Sequence, residues 1–101
     1  MKNDEKTYYA YMVRCADGTI YSGYTTEPHR RIAVHNRGLG AKYTRSRLPV
    51  KLVYIKSFST KRDALKQEAA LKKLSHADKI TLIEESAPFG DGFNFSSGTP
   101  S

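Results

Sequence analysis

The chain has 101 residues, which suits a single domain with a small core. A formal charge of +7 and a pI of about 9.6 favour a polyanionic partner, either nucleic acid or an acidic membrane surface. Cys15 is the lone cysteine, so an internal disulfide and a thiolate metal cluster are both excluded. No apolar run reaches the roughly 20 residues of a membrane span. The polar start, Met1 to Lys6, has no signal-peptide core, and the chain is expected in the cytoplasm, away from membranes.

Residues 1–6 read as a flexible N-terminus and residues 7–85 as the folded domain. The aromatic and apolar run of residues 7–14 reads as a first strand, and residues 19–24 as a second. Asp17-Gly18 between them marks a hairpin. Thr26 reads as an N-cap, with Glu27 and Pro28 in the first turn of a helix that runs to about Arg37 and stops at Gly38. Residues 38–49 read as a basic loop. A third strand over residues 50–58 carries Leu52-Val53-Tyr54-Ile55 and should be buried on both faces. Thr60 should cap a helix over residues 61–74, and Ser75 another over residues 76–85. Residues 86–101 are rich in Gly, Ser and Pro and read as a flexible tail, although Phe89, Phe93 and Phe95 are unusual for a linker. The order β-β-α-β-α-α predicts an α+β domain, a small three-stranded antiparallel sheet flanked by helices.

Five residues stand out against that frame: Tyr11, Tyr21, Arg31, His35 and Glu68. The first three recur ten apart, on two strands and then a helix. Arg31 and His35 are i and i+4, so they share a helix face. Glu68 neighbours Ala64 and Leu71 on the apolar side of its helix, where a carboxylate needs a partner or a metal. The hairpin decides whether the two tyrosines can cooperate. A two-residue Asp17-Gly18 loop would place Tyr11 and Tyr21 on opposite faces. A three-residue loop, Ala16-Asp17-Gly18 with Gly18 left-handed, pairs Val13 with Tyr21 and puts both on one face. The bulged version is expected.

The motifs Tyr9-Ala10-Tyr11 and Tyr21-Ser22-Gly23, followed by Arg31, His35 and Glu68 in that order, resemble the GIY-YIG nuclease superfamily. The likeness covers roughly Tyr8 to Glu84. It is closest to short stand-alone bacterial members, in phrases such as Cys15-Ala16-Asp17-Gly18, His35-Asn36-Arg37-Gly38 and Tyr43-Thr44-Arg45-Ser46-Arg47. The resemblance implies metal-dependent hydrolysis of phosphodiester bonds in DNA. Tyr11, Tyr21, Arg31 and His35 would then be catalytic, and Glu68 would hold one Mg²⁺ or Mn²⁺ ion. A phenol is a poor base at neutral pH, since its ordinary pKa is about 10, so the base role assigned to Tyr21 calls for a cation beside it. Arginine suits a phosphate through its planar fork of donors. A single carboxylate suits a hard ion that keeps several waters and takes phosphate oxygens as further ligands.

Between His29 and Lys51 the chain carries many Lys and Arg residues and no acid. Lys42, Arg45 and Arg47, interleaved with Tyr43, Thr44 and Ser46, read as contacts to a nucleic-acid backbone, with Arg30 as a further candidate. None of these residues points to base readout, so little sequence specificity is expected. Two departures from the family pattern bear on turnover. Tyr24 stands where repair-type members often carry a lysine, and Lys79-Ile80-Thr81-Leu82 lacks an asparagine that some members place beyond the acid. The alternative reading is a nucleic-acid binding module with weak or no catalysis. Glu68 also has a structural alternative, an ion pair with Lys72 four residues on.

Overall fold

The computed structural model describes residues 6–86; residues 1–5 and 87–101, with the expectations for the N-terminus and for the phenylalanines of the tail, lie outside the described residues. Three strands form one antiparallel sheet: β1 (Tyr8–Arg14), β2 (Ile20–Thr25) and β3 (Lys51–Phe58), in spatial order β2-β1-β3. Four helices complete the α+β domain: α1 (Pro28–Asn36), α2 (Lys42–Arg45), α3 (Lys61–Lys72) and α4 (His76–Glu85).

The hairpin takes the bulged form. Gly18 N–H donates to the Cys15 carbonyl at 2.9 Å, and Cys15 N–H donates to the Thr19 carbonyl at 2.8 Å. Gly18 sits at φ +89°, a left-handed conformation that glycine adopts without a Cβ penalty. Val13 consequently pairs with Tyr21, and Tyr11 with Gly23. Side chains alternate along a strand, so Tyr11, Val13 and Tyr21 share a face.

Each face of the sheet has its own core. On one, Ala10, Met12, Ile20 and Tyr54 pack with Leu71 of α3, and Ile80, Leu82 and Ile83 of α4 close over them. On the other, Tyr11, Val13, Cys15, Val50 and Leu52 pack with Ile32 of α1 and Leu48. A bulge makes β3 serve both. Met12 pairs with Tyr54 and Val13 with Leu52, which leaves Val53 as an extra residue. Leu52 and Tyr54, which regular alternation would place together, therefore face opposite cores. The expected burial on both faces holds for the centre of β3, whereas Lys51, Lys56 and Ser57 are exposed.

Two local expectations need correction or refinement. The cap of α1 is Glu27, not Thr26. Pro28 holds the first helical position, and the residue before a proline is kept out of helical geometry; Thr25 Oγ1 then accepts from Glu27 N–H at 3.0 Å. The basic loop contains the one-turn helix α2, whose first turn is closed by Thr44 N–H and Thr44 Oγ1, both donating to the Ala41 carbonyl. Gly38, at φ +79°, does end α1: its N–H donates to the His35 carbonyl while Leu39 N–H reaches back to that of Val34. The caps at Thr60 and Ser75 form as expected, each side chain accepting the N–H three residues on, at 3.1 Å.

Asn36, at the last position of α1, ties the helix to the start of β3. Its Nδ2 donates to the Val50 carbonyl at 3.1 Å, and its Oδ1 accepts from Val50 N–H at 2.7 Å. The amide thus stands in for a strand partner. We expect Asn36→Ala to lower stability by about 1–3 kcal/mol, since two backbone groups lose their partner at once. Asn36→Asp, which keeps only the acceptor, should fall between the two. Urea melts of the three proteins check this order.

Candidate active site

Tyr11 lies at the centre of a hydrogen-bonded run. Arg31 Nε–H donates to its hydroxyl at 3.3 Å, and the hydroxyl lies 2.9 Å from His35 Nε2. On the far side of the ring, His35 Nδ1 lies 2.9 Å from Thr44 Oγ1. Tyr11 is 1% exposed and His35 is 0% exposed. Burial pushes the Tyr11 phenol up, against the pull of Arg31, so it keeps its proton at neutral pH. Burial, with the Arg31 charge, lowers His35 to about 4, so the imidazole is neutral.

Tyr21 comes to the same place from β2. Its ring meets the His35 ring edge-on, with centroids 5.5 Å apart at 65°. Tyr43 of α2 stacks on Tyr21 at 5.9 Å and 28°. Arg47 then lies over the Tyr43 ring, 4.1 Å from its centroid, while its Nε donates to Asp17 Oδ2 at 3.0 Å and its NH1 to the Tyr43 carbonyl at 2.8 Å. Three of the guanidinium's interactions are therefore made within the protein. Lys42 and Arg45 project from α2 as exposed cations. Arg30, also exposed, is within 3.6 Å of Glu27, a contact worth little in solvent. An open cleft of about 370 Å³ beside it is lined by Thr25, Thr26, Glu27, Arg30, Arg31 and Val34.

Glu68 arrives from the opposite layer. Ala64 and Leu71 of α3 are buried against the sheet, and Gln67 and Glu68 lie on the same stripe, half-buried. The Glu68 charge reaches Tyr11, where it opposes ionisation of the phenol alongside Tyr21. Its carboxylate also meets Lys72 Nζ at 3.2 Å, with 19% of the Glu68 side chain exposed. Thus Tyr11, Tyr21, Arg31 and His35 are joined by direct contact, whereas Glu68 exerts only the smallest of the electrostatic effects on Tyr11 and pairs with Lys72.

Residues 7–81 match the family described as the GIY-YIG catalytic domain. The chain belongs to the GIY-YIG family. Among its relatives, a UPF0213 protein of Streptococcus agalactiae is 49% identical over 77 residues, covering 76% of this chain and 88% of the relative. One of Bacillus licheniformis is 50% identical over 82 residues, covering 81% and 84%. The solution NMR structure of a UPF0213 protein from Bacillus halodurans matches with a TM-score of 0.55 at 39% identity, covering 92% of this chain and 99% of that one. A second NMR structure, of a protein from E. faecalis, also gives 0.55, at 45% identity, covering 84% and 90%.

The two GIY-YIG motifs lie on adjacent strands, Tyr9-Ala10-Tyr11 on β1 and Tyr21-Ser22-Gly23 on β2. The final glycine of the second motif has a steric reason. A Cβ at Gly23 would fall on the Tyr11 hydroxyl. Gly40 gives the same clearance to the His35 ring. Gly23, Tyr43 and Thr44 entered the sequence reading only as members of motifs, and none of them, nor Gly40, was given a role in the site. Nothing in the sequence marked Thr44 as a partner of His35. The glycines were visible only as turn and motif residues, because what they clear is a side chain from another element.

Two outcomes follow from this packing. The His35 pKa in the folded chain is lowered from about 6.5 to about 4, so the unfolded state binds more protons between those values. Stability should therefore fall as pH drops from about 6.5 to about 4, by roughly 3 kcal/mol, and level off below. Urea melts across that window, beside His35→Gln, check the sign: the variant should lose most of the slope. Gly23→Ala should displace Tyr11 and cost about 1–3 kcal/mol by overpacking, whereas alanine at exposed, positive-φ Gly18 meets no neighbouring atom and suffers only the backbone penalty.

Proposed function

We propose that this protein hydrolyses phosphodiester bonds in DNA, using a hard divalent cation and showing little preference for sequence. The observation that carries the reading is the Tyr11 hydroxyl, gripped by Arg31 and His35, with Tyr21 against the same imidazole on the same face of the sheet. A fold needs no such grouping of two phenols, a guanidinium and a neutral imidazole at one spot. Membership of a catalytic-domain family supports the same conclusion.

In-line attack on a phosphodiester requires a deprotonated water, neutralised phosphoryl oxygens and help for the leaving oxygen. Arg31 offers a fixed cation at the mouth of the cleft for the scissile phosphate. Tyr21, half-buried, would act as general base in its phenolate form: it first gives its own proton to solvent and then takes one from the attacking water. Tyr11 stays a neutral phenol and orients that water by accepting from it. His35 is sealed from solvent, so it acts by holding Tyr11. Lys42, Arg45 and Arg30 grip the flanking backbone, and Arg47 holds Tyr43 against Tyr21.

The donor set sorts the metals. Among the described residues no group of three or more His, Cys, Asp or Glu could hold an ion, so a zinc-type cage does not fit. One half-buried carboxylate, Glu68, does fit one Mg²⁺ or Mn²⁺ that retains waters. Bound there, the ion would supply positive charge to the phosphoryl oxygens. Lys72 must then release Glu68. That ion pair is also the feature that favours the second reading, a nucleic-acid binding module in which Lys72 occupies the carboxylate and turnover is weak.

Plasmid nicking separates the two. We expect nicking with Mg²⁺ or Mn²⁺ that stops with chelator. It should drop about 100-fold or more in Tyr21→Phe, and be lost in Arg31→Ala and Glu68→Ala. Nicking that persists in Tyr21→Phe and Glu68→Ala would sink the hydrolase reading. DNA binding that weakens steeply with salt, without nicking, would establish the binding module.

A further inference from the structure

The run of hydrogen bonds through His35 has a direction, and Thr44 sets it. A hydroxyl has one proton to give. Thr44 Oγ1 donates that proton to the Ala41 carbonyl at 3.0 Å, an acceptor that can only receive. The same oxygen, 2.9 Å from His35 Nδ1, must therefore accept from it. The ring then carries its proton on Nδ1 and leaves Nε2 as a bare acceptor. Tyr11, 2.9 Å away, donates to it. Arg31 Nε–H approaches the phenol oxygen from its own side at 3.3 Å. Every proton in the run has one place to go: from Arg31 to Tyr11, from Tyr11 to His35, from His35 to Thr44, and from Thr44 to Ala41.

We propose that Thr44 is a positioning residue, which fixes the Nδ1–H tautomer of His35 and so aims the Tyr11 hydroxyl proton inward, away from the bound phosphate. The phenol oxygen then turns its remaining lone pair to the site and accepts a hydrogen bond, as from the attacking water. The opposite tautomer would put two N–H groups, His35 Nε2 and Arg31 Nε, on one phenol oxygen and force its O–H outward. Thr44 and His35 are both fully buried, so no water can substitute for a missing partner at Nδ1. Thr44 also belongs to α2, the helix that carries exposed Lys42 and Arg45. One turn of helix thus joins the cationic surface to the phenol. The consequence for the reaction rests on the hydrolase reading above; the tautomer does not.

Nitrogen-15 NMR of labelled protein reads the tautomer directly from long-range couplings between the His35 ring protons and nitrogens, at pH 7 where the ring is neutral. The wild type should show a protonated Nδ1. Thr44→Val, nearly isosteric, removes the acceptor and should move the proton to Nε2, whereas Thr44→Ser should keep it on Nδ1. In the nicking assay, kcat should fall about 10- to 100-fold in Thr44→Val, the range typical of outer partners that orient a working group. KM should not change, and Thr44→Ser should restore the rate. An Nε2–H ring in the wild type, or an unmoved proton in folded Thr44→Val, would overturn the proposal. Should Thr44→Val fail to fold, the wild-type and Thr44→Ser spectra decide it. A protein that never nicks DNA yet shows the expected tautomers would defeat the hydrolase reading and leave this assignment standing.

Discussion

The contact on which the site depends is the one between the Tyr11 hydroxyl and the buried His35 imidazole. It joins the central strand to α1, and through Thr44 to α2, so three elements far apart in sequence meet at one ring. A buried polar pair of this kind is costly unless every donor and acceptor finds its partner. Here each does: Arg31 and His35 share the phenol, and Thr44 closes the far side of the ring. The neutral imidazole follows from the same enclosure. A protonated ring would have to be buried beside the Arg31 guanidinium.

That contact exists only because the hairpin has the right register. The left-handed Gly18 adds the residue that brings Tyr11 and Tyr21 to one face. Gly23, opposite Tyr11, then leaves the space its hydroxyl occupies. Two glycines thus serve different ends a few residues apart, one through its backbone angle and one through its missing side chain. The second bulge, at Val53, works on the other side of β1. It gives Leu52 to the core beneath the phenols and Tyr54 to the core beneath α3. A three-stranded sheet can in this way bury both of its faces.

Much of this was legible in the sequence because it rests on local rules. The strands, the caps at Thr60 and Ser75, the bulged hairpin and the sharing of a face by Arg31 and His35 all follow from spacing and turn chemistry. Local rules failed where two signals competed. Thr26 was the better-looking cap, but Pro28 fixed the start of α1 and left the cap to Glu27. The one-turn helix α2 is held by Thr44 on Ala41 and by the packing of Tyr43 on Tyr21, not by any periodic pattern. The roles of Thr44, Gly40 and Tyr43 are likewise tertiary. Each depends on what another element places nearby, and the motif phrase that contains Tyr43 and Thr44 does not name those partners.

The positive charges divide along the same line. Arg31 and Arg47 sit among internal acceptors: the Tyr11 hydroxyl for one, Asp17 and the Tyr43 carbonyl for the other. Held so, they give shape to the site at little cost in side-chain freedom when a ligand arrives. Lys42, Arg45 and Arg30 lie out in solvent, where a flexible cation contributes attraction without register. A basic stretch that looks uniform in sequence therefore holds two kinds of cation. Those with acceptors close by in the fold fix geometry, and the exposed ones supply the long-range pull on a polyanion. Only the second kind should dominate the salt dependence of binding, because counterions gather on charges that face water.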